Sequence, residues 1–390
     1  MPIESSDEGG RMPALDSVIR DSKPCDFLSR DEEGIWRHKG ILPDVSYRVS
    51  LGEGMTPLVP ARRLPARMQL AATAYLKMES ANPTGSFKDR ASAVGVSAAV
   101  SSGFRRGIIA STGNAAASFA AYATRAAMES YVLVPRGTVQ AKMTKTLIHG
   151  PRVFELEGDI SDCIRMAAEC ANHGFFNATT IAVMNPLCIE GYKTISYEIF
   201  EELGEMPAWV AIPLGAGPLA AGICKGFDEV AALTGRPAPR VVGVQAAGCA
   251  PIFRAYISGG KVAPWKEAIT TRVAAIADPL VGYVEDGQSA LEWIRKLDGI
   301  VIAVEDDEIF EAQRELASAE GIFAEPAACA SIVGLKELAR KGLVREKDTV
   351  VAVVTGHGLN DPASVAGLPA PERVEARLEA LLALVDGPAP

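Results

Sequence analysis

"WVAIPLGAGPLAAGICKGF", residues 209–227, is the stretch on which the fold turns. An apolar run at 209–214 enters a turn at Gly215 and Gly217 and leaves as a helix of small and apolar residues. A strand buried on both faces and followed at once by a helix is half of a parallel crossover unit. The same alternation runs along the chain. Short β-rich runs lie at 107–112, 130–135, 152–158, 240–245, 299–304 and 349–355. Helical stretches separate them, among them "NAAASFAAYATRAAM", "SDCIRMAAECANHG", "EGYKTISYEIFEEL" and "DDEIFEAQRELASAEG". The predicted class is α/β, with mainly parallel twisted sheets carrying helices on both faces. Residues 1–50 lack sustained periodicity and read as an N-terminal arm. In the tail, residues 369–390, Val374, Leu378, Leu381 and Val385 recur at helical spacing, and this segment is expected to dock on the body or on a second subunit.

Bulk composition narrows the partners. The chain has 390 residues, 48% hydrophobic and 22% charged, enough for two lobes sharing a core. A net charge of −9 argues against nucleic acid or an anionic membrane, so any phosphate it binds must be held by local donors. The acidic start "MPIESSDEGGR" does not resemble a signal peptide, and no apolar run reaches spanning length. Seven cysteines show neither CxxC nor metal spacing, which suits buried thiols in the cytoplasm and no metal site.

Ligands of such sheets sit at the carboxyl ends of strands, against helix N-termini. Three loops occupy that place. In the first, Gly215, Gly217 and Ala220 satisfy G-x-G-x-x-A, but a nicotinamide site needs a carboxylate after the next strand, and "VGVQAAG" offers Gln245. A phosphate monoester held by the N–H groups of Gly215, Ala216, Gly217, Pro218's neighbours and Leu219 fits better; a structural glycine turn is the alternative. The second is "IASTGNAAAS", where Ser111, Thr112, Gly113 and Asn114 could nest a carboxylate, or where Asn114 simply caps a helix. The third is "AVVTGHGLND", which ends a strand at Thr355 and could face a ring nitrogen or be a plain turn.

A fourth stretch, "ESANPTGSFKDRAS" (79–92), places Lys88 at a helix start just after a Pro-Gly turn, with Ser86 as the expected cap. A cation there opposes the helix dipole, which invites a chemical reason. An amine, a phosphate cradle, a carboxylate nest and a hydroxyl at strand ends are together what an imine-forming lysine and a phosphorylated aldehyde require. Pyridoxal phosphate supplies that chemistry.

From "SLGEGMTPL" (50–58) through "NPTGSFKDR", "STGNAAAS", "NPLCIEGYKT", "GIFAEPAACAS" and "VVTGHGLNDP", about four-fifths of the chain resembles the threonine synthases, within the tryptophan-synthase-like (fold type II) pyridoxal-phosphate enzymes. The resemblance implies two lobes: a larger cofactor-binding domain from 51–103 and 186–368, and a smaller mobile one, 104–185. It implies that Lys88 is the Schiff-base lysine with Phe87 packed beneath it. Asn114 would bond the cofactor's phenolic oxygen, Gly215–Leu219 its phosphate, and Thr355 its ring nitrogen. Ser111, Thr112, Gly113 and Ala115 would hold the substrate carboxylate; Arg90, Asn185, Cys188 and Lys193 match the remaining substrate positions. A homodimer acting on a small amino acid is implied, making L-threonine from O-phospho-L-homoserine. The alternative is β-elimination or β-replacement on a serine-, threonine- or phosphoserine-like amino acid. The sequence departs from the family where Cys188 stands for an arginine, Tyr192 for a glutamine, Ala115 for a threonine and "GAGPL" for "GNAGN".

Overall fold

The computed structural model describes residues 32–385. Ten strands form two sheets. The larger has the order β1 (Leu58–Pro60), β2 (Thr73–Lys77), β10 (Thr349–Val353), β7 (Trp209–Pro213), β8 (Arg240–Ala246), β9 (Ile300–Val304). All its pairings are parallel except β1 with β2. The smaller is wholly parallel, in the order β5 (Arg152–Leu156), β4 (Glu129–Pro135), β3 (Arg106–Ala110), β6 (Phe176–Asn177). Twelve helices accompany them among the described residues: α1 (Leu64–Arg67), α2 (Lys88–Ser101), α3 (Asn114–Arg125), α4 (Gln140–Leu147), α5 (Ile160–Ala171), α6 (Leu187–Leu203), α7 (Pro218–Thr234), α8 (Pro251–Ser258), α9 (Val284–Lys296), α10 (Asp306–Glu320), α11 (Pro326–Arg340) and α12 (Leu378–Val385).

The central strands show why the larger sheet is covered twice. Val210 and Ile212 of β7, with Val351 and Val353 of β10, join one core with α6, α7 and α9. Their alternates Trp209, Ala211, Val350 and Ala352 join a second core with α10 and α11. A period of two with both faces apolar requires helices on both sides. Helix ends follow local chemistry. Reciprocal side-chain capping by Glu305 and Glu308 starts α10, and left-handed Gly321 stops it.

Four segments differ from the sequence reading. β2 was not anticipated, because "TAYLK" begins and ends polar and its Lys77 is nevertheless buried. β1 and β6 are too short to show a pattern. The described part of the expected arm is irregular but not peripheral: Ile35, Trp36, Leu42, Val45 and Val49 are buried against α2 and α3, with Trp36 Nε1 donating to the Val49 carbonyl at 2.9 Å. Residues 1–31 of that arm and 386–390 of the tail lie outside the described residues. In the tail, α12 buries none of its residues, and Val374 precedes it.

Candidate active site

Lys88 opens α2, and the turn before it is fastened to the end of β10. Phe87 N–H donates to the Thr355 carbonyl at 3.0 Å, His357 N–H to Gly85 at 2.9 Å, and Ser86 bridges Gly356. The expected Ser86 cap is corrected: Phe87 is the capping residue, in helical conformation, and Ser86 Oγ is 3.4 Å from the Lys88 N–H. Asp89 stiffens the turn instead, accepting from Thr84 N–H at 2.7 Å and Thr84 Oγ1 at 2.5 Å.

The Lys88 amine donates to Thr180 Oγ1 at 2.9 Å and lies 4.7 Å from the centre of the Phe87 ring. Burial lowers its pKa from 10.5 to about 8, against the opposing pull of Cys188, Asp278 and Glu325. An amine in so apolar a seat keeps a useful fraction unprotonated near neutral pH.

Gly113, not Asn114, caps α3. Asn114 therefore sits in the first helical position, and its side chain crosses to Glu325, donating at 3.0 Å. The reading of Asn114 as a helix cap thus fails. Glu325 is buried where α11 begins, and burial pushes its pKa up to about 7 against the hydrogen bond from Asn114 and the charge of Lys145. It presses on the Thr355 turn so closely that a Cβ on Gly356 would lie 2.3 Å from Glu325 Oε1. Glu325 was absent from the expected site residues, although "GIFAEPAACAS" contains it.

Two loops present unpaired backbone donors. The N–H groups of Thr112, Asn114 and Ala115 meet no protein acceptor among the described residues, nor do those of Gly215, Ala216 and Gly217. Gly217 has φ +115°, and a Cβ there would lie 2.7 Å from Ala290 Cβ, so that position admits no side chain. Pro218 and Leu219 follow as the first residues of α7, buried at its positive end. Asp278 flanks this loop, its Cβ 4.0 Å from where a Gly215 Cβ would be, and its charge acts on Lys88. The amine, the phosphate-sized nest and the Thr355 turn are thereby tied to one another. Thr355 is buried and its hydroxyl has no protein partner among the described residues.

The expected substrate residues divide. Ser111 and Thr112 are half-buried at the α3 nest, beside exposed Gly113 and buried Ala115. Asn185 is buried, and its Oδ1 has no hydrogen-bond partner among the described residues. Three others require correction. Arg90 is fully buried and committed: Nε and Nη2 each reach Glu79 at 2.7 Å, Nη1 and Nη2 reach Glu198 at 2.6 and 2.8 Å, and Nη1 also reaches Thr194. Lys193 is held by Glu190 at 2.7 Å and Glu229 at 3.3 Å. Cys188 is fully buried in the core, and burial pushes its thiol up to about 12. None of the three offers a donor to a substrate phosphate.

These residues fit pyridoxal phosphate: a lightly held amine, a glycine-built nest of unpaired N–H groups at a helix start and an unpaired hydroxyl. The sequence profile described as "Pyridoxal-phosphate dependent enzyme" matches residues 49–356. The chain is 37% identical to the threonine synthase of Methanocaldococcus jannaschii over 93% of its length and 90% of the relative's. It is 38% identical to that of Mycobacterium leprae, over 80% and 84%. Among solved structures, threonine deaminase isoform 2 of Solanum lycopersicum superposes with a TM-score of 0.67 at 23% identity, covering 80% of this chain and 88% of that one. Maize serine racemase gives 0.66 at 18% identity, covering 79% and 89%. Likeness at such identities speaks for the fold, and these neighbours share fold type II. The chain belongs to the pyridoxal-phosphate-dependent enzyme family, in the branch that contains the threonine synthases.

Proposed function

We propose that the chain is a pyridoxal-phosphate-dependent lyase of threonine-synthase type, converting O-phospho-L-homoserine and water to L-threonine and phosphate. The observation that carries the site is the Lys88 amine, buried on one neutral hydroxyl and pinned through Phe87 to the Thr355 turn. Bound there, pyridoxal phosphate would supply an aldehyde for an imine and a ring able to accept the electron pair released at Cα. The N–H groups of the Gly215–Leu219 loop would hold its phosphate at the start of α7. Asn114, steadied by Glu325, would hold its phenolic oxygen, and the Thr355 hydroxyl its ring nitrogen. The loop from Ser111 to Ala115 binds the substrate carboxylate. Lys88 takes the Cα proton and returns protons to the carbon skeleton, a role suited to an amine with a pKa near 8. Residues 104–185 close over the substrate as the smaller domain. Free, mostly buried thiols support a reducing compartment, and we place the enzyme in the cytoplasm as a homodimer.

A second reading has one observation in its favour. With Arg90 and Lys193 paired to carboxylates and Cys188 in the core, no side-chain cation from those positions meets a phosphate leaving group. β-Elimination or β-replacement on a serine- or threonine-like amino acid needs none. Product analysis separates the readings. The first expects phosphate and threonine in equal amounts from O-phosphohomoserine. Ammonia from serine or threonine, with no phosphate from O-phosphohomoserine, would replace it with the second.

A further inference from the structure

Thr180 belongs to the crossover from the smaller sheet to α6, and both ends of that crossover are fixed. On one side Ala178 N–H donates to Ile108 of β3 at 2.8 Å. On the other, the N–H groups of Ala182 and Val183 donate to the Asp286 carboxylate of α9, at 2.7 and 3.0 Å. Between these anchors Thr180 Oγ1 accepts the Lys88 ammonium at 2.9 Å. Tyr192, on α6, completes the seat. Its ring packs on Phe87 with centroids 5.0 Å apart, and Lys88 Nζ lies 5.8 Å from its centre. Its hydroxyl is buried, lies within electrostatic reach of Thr180 and has no hydrogen-bond partner among the described residues.

We infer that Thr180 and Tyr192 form a hydroxyl pair that receives the Lys88 amine whenever it is free, Thr180 by direct contact and Tyr192 by orienting Thr180. A hydroxyl both donates and accepts. When Lys88 is an ammonium, it donates to Thr180 Oγ1, which turns its own hydrogen toward the Tyr192 oxygen. When Lys88 has given up its proton, the order reverses: Tyr192 donates to Thr180, and Thr180 donates to the amine lone pair. The amine keeps one place in both states, and no proton leaves the pair. A carboxylate in the same place would hold only the ammonium. The other groups acting on the amine are Asp278, Glu325 and Cys188, none of which is hydrogen-bonded to it. Thr180 and Tyr192 are thus positioning residues.

The inference rests on Lys88 being the cofactor lysine, and its test does not depend on which amino acid is the substrate. The full-length protein, stripped of cofactor and checked for folding by circular dichroism, is treated with a small amine-acylating reagent across pH 6–11 (about five units, spanning the ordinary lysine range). Modification of the Lys88 peptide is followed by mass spectrometry. Removing the acceptor in Thr180→Val shifts the midpoint of Lys88 labelling to lower pH. In the reconstituted holoenzyme kcat falls roughly ten-fold or more, the effect of one hydrogen bond to a charged group, with KM little changed. Thr180→Ser restores both. Tyr192→Phe, which removes one oxygen and keeps the ring, shifts the labelling midpoint in the same direction by less. It also serves if Thr180→Val does not fold. A labelling profile unchanged in both variants overturns the inference, as does a Thr180→Ser protein no better than Thr180→Val. If the assumed substrate is wrong, the kinetic arm changes and the labelling arm stands.

Discussion

Lys77 and Lys88 both take an amine out of water, and their partners are opposite in kind. Lys77 ends β2 with no exposed side-chain surface, and its amine meets Glu202 at 2.6 Å, Glu198 at 2.9 Å and the Thr56 carbonyl at 2.6 Å. Lys88 has a single neutral hydroxyl. Two carboxylates tie the Lys77 amine into the frame of the protein by charge-assisted bonds. A hydroxyl leaves an amine free to lose its proton and to move. Residue type is shared, and Lys88 is only part-buried where Lys77 is wholly so, but the larger difference is what each amine faces.

The sharpest way to break this comparison is to remove each amine in turn. Lys88→Ala is expected to abolish turnover and the visible absorbance of covalently held cofactor, whereas Lys77→Ala keeps that absorbance. Borohydride trapping with peptide mapping checks the assignment; an adduct on Lys77 would invert it. The structural side of the contrast is next in size. Lys77→Met leaves Glu198 short of a partner in the interior and is expected to destabilise the fold by about 3–5 kcal/mol, the usual effect of breaking a buried ion pair. Urea unfolding measures it, and a loss under about 1 kcal/mol, typical of surface pairs, would place Lys77 among them.

Titration sharpens the comparison further. The folded pKa of Lys88 is depressed to about 8 from 10.5, so between those values the unfolded chain binds the extra proton. Stability of the cofactor-free protein therefore rises with pH across that window, by at most about 1.4 kcal/mol per pH unit from this group. Below pH 8 the cost of burying the ammonium is fully present. Subtracting the curve for Lys88→Met isolates the effect, and parallel curves would contradict it. The smallest change is expected at Thr355. Thr355→Ala is expected to weaken cofactor binding by about 0.5–1.5 kcal/mol, one neutral hydrogen bond, read by equilibrium release of the cofactor; unchanged affinity and spectrum would remove Thr355 from the site.

Much of the fold was legible because β3, β4, β7, β8, β9 and β10 are short, β-branched apolar runs bounded by helical stretches, and their length and composition mark them as strands. β2 escaped because its last residue is a lysine whose burial depends on Glu198 and Glu202, more than a hundred positions later. Local sequence cannot announce a partner that distant. The same reason explains Arg90. Its motif suggests a cation at the mouth of a site, but Glu79 and Glu198 turn it into an internal strut. Glu325 was overlooked for the reverse reason: a glutamate before Pro326 looks like an ordinary helix start, and only the fold brings Asn114 to it.

The fastening of Gly85–Phe87 onto Thr355–His357 has a consequence for the order in which the protein comes into being. β10 lies between β2 and β7, so the larger sheet has a gap at its middle until residues 349–353 arrive. A chain emerging from the ribosome exposes the Lys88 turn early, hundreds of residues before its clamp is synthesised. Contacts of such sequence separation form late and slowly. The smaller sheet, whose strands all lie within residues 106–177, can assemble meanwhile. The lysine is therefore among the first groups translated and among the last to be set in place, so a cofactor site exists only once nearly the whole chain has been made.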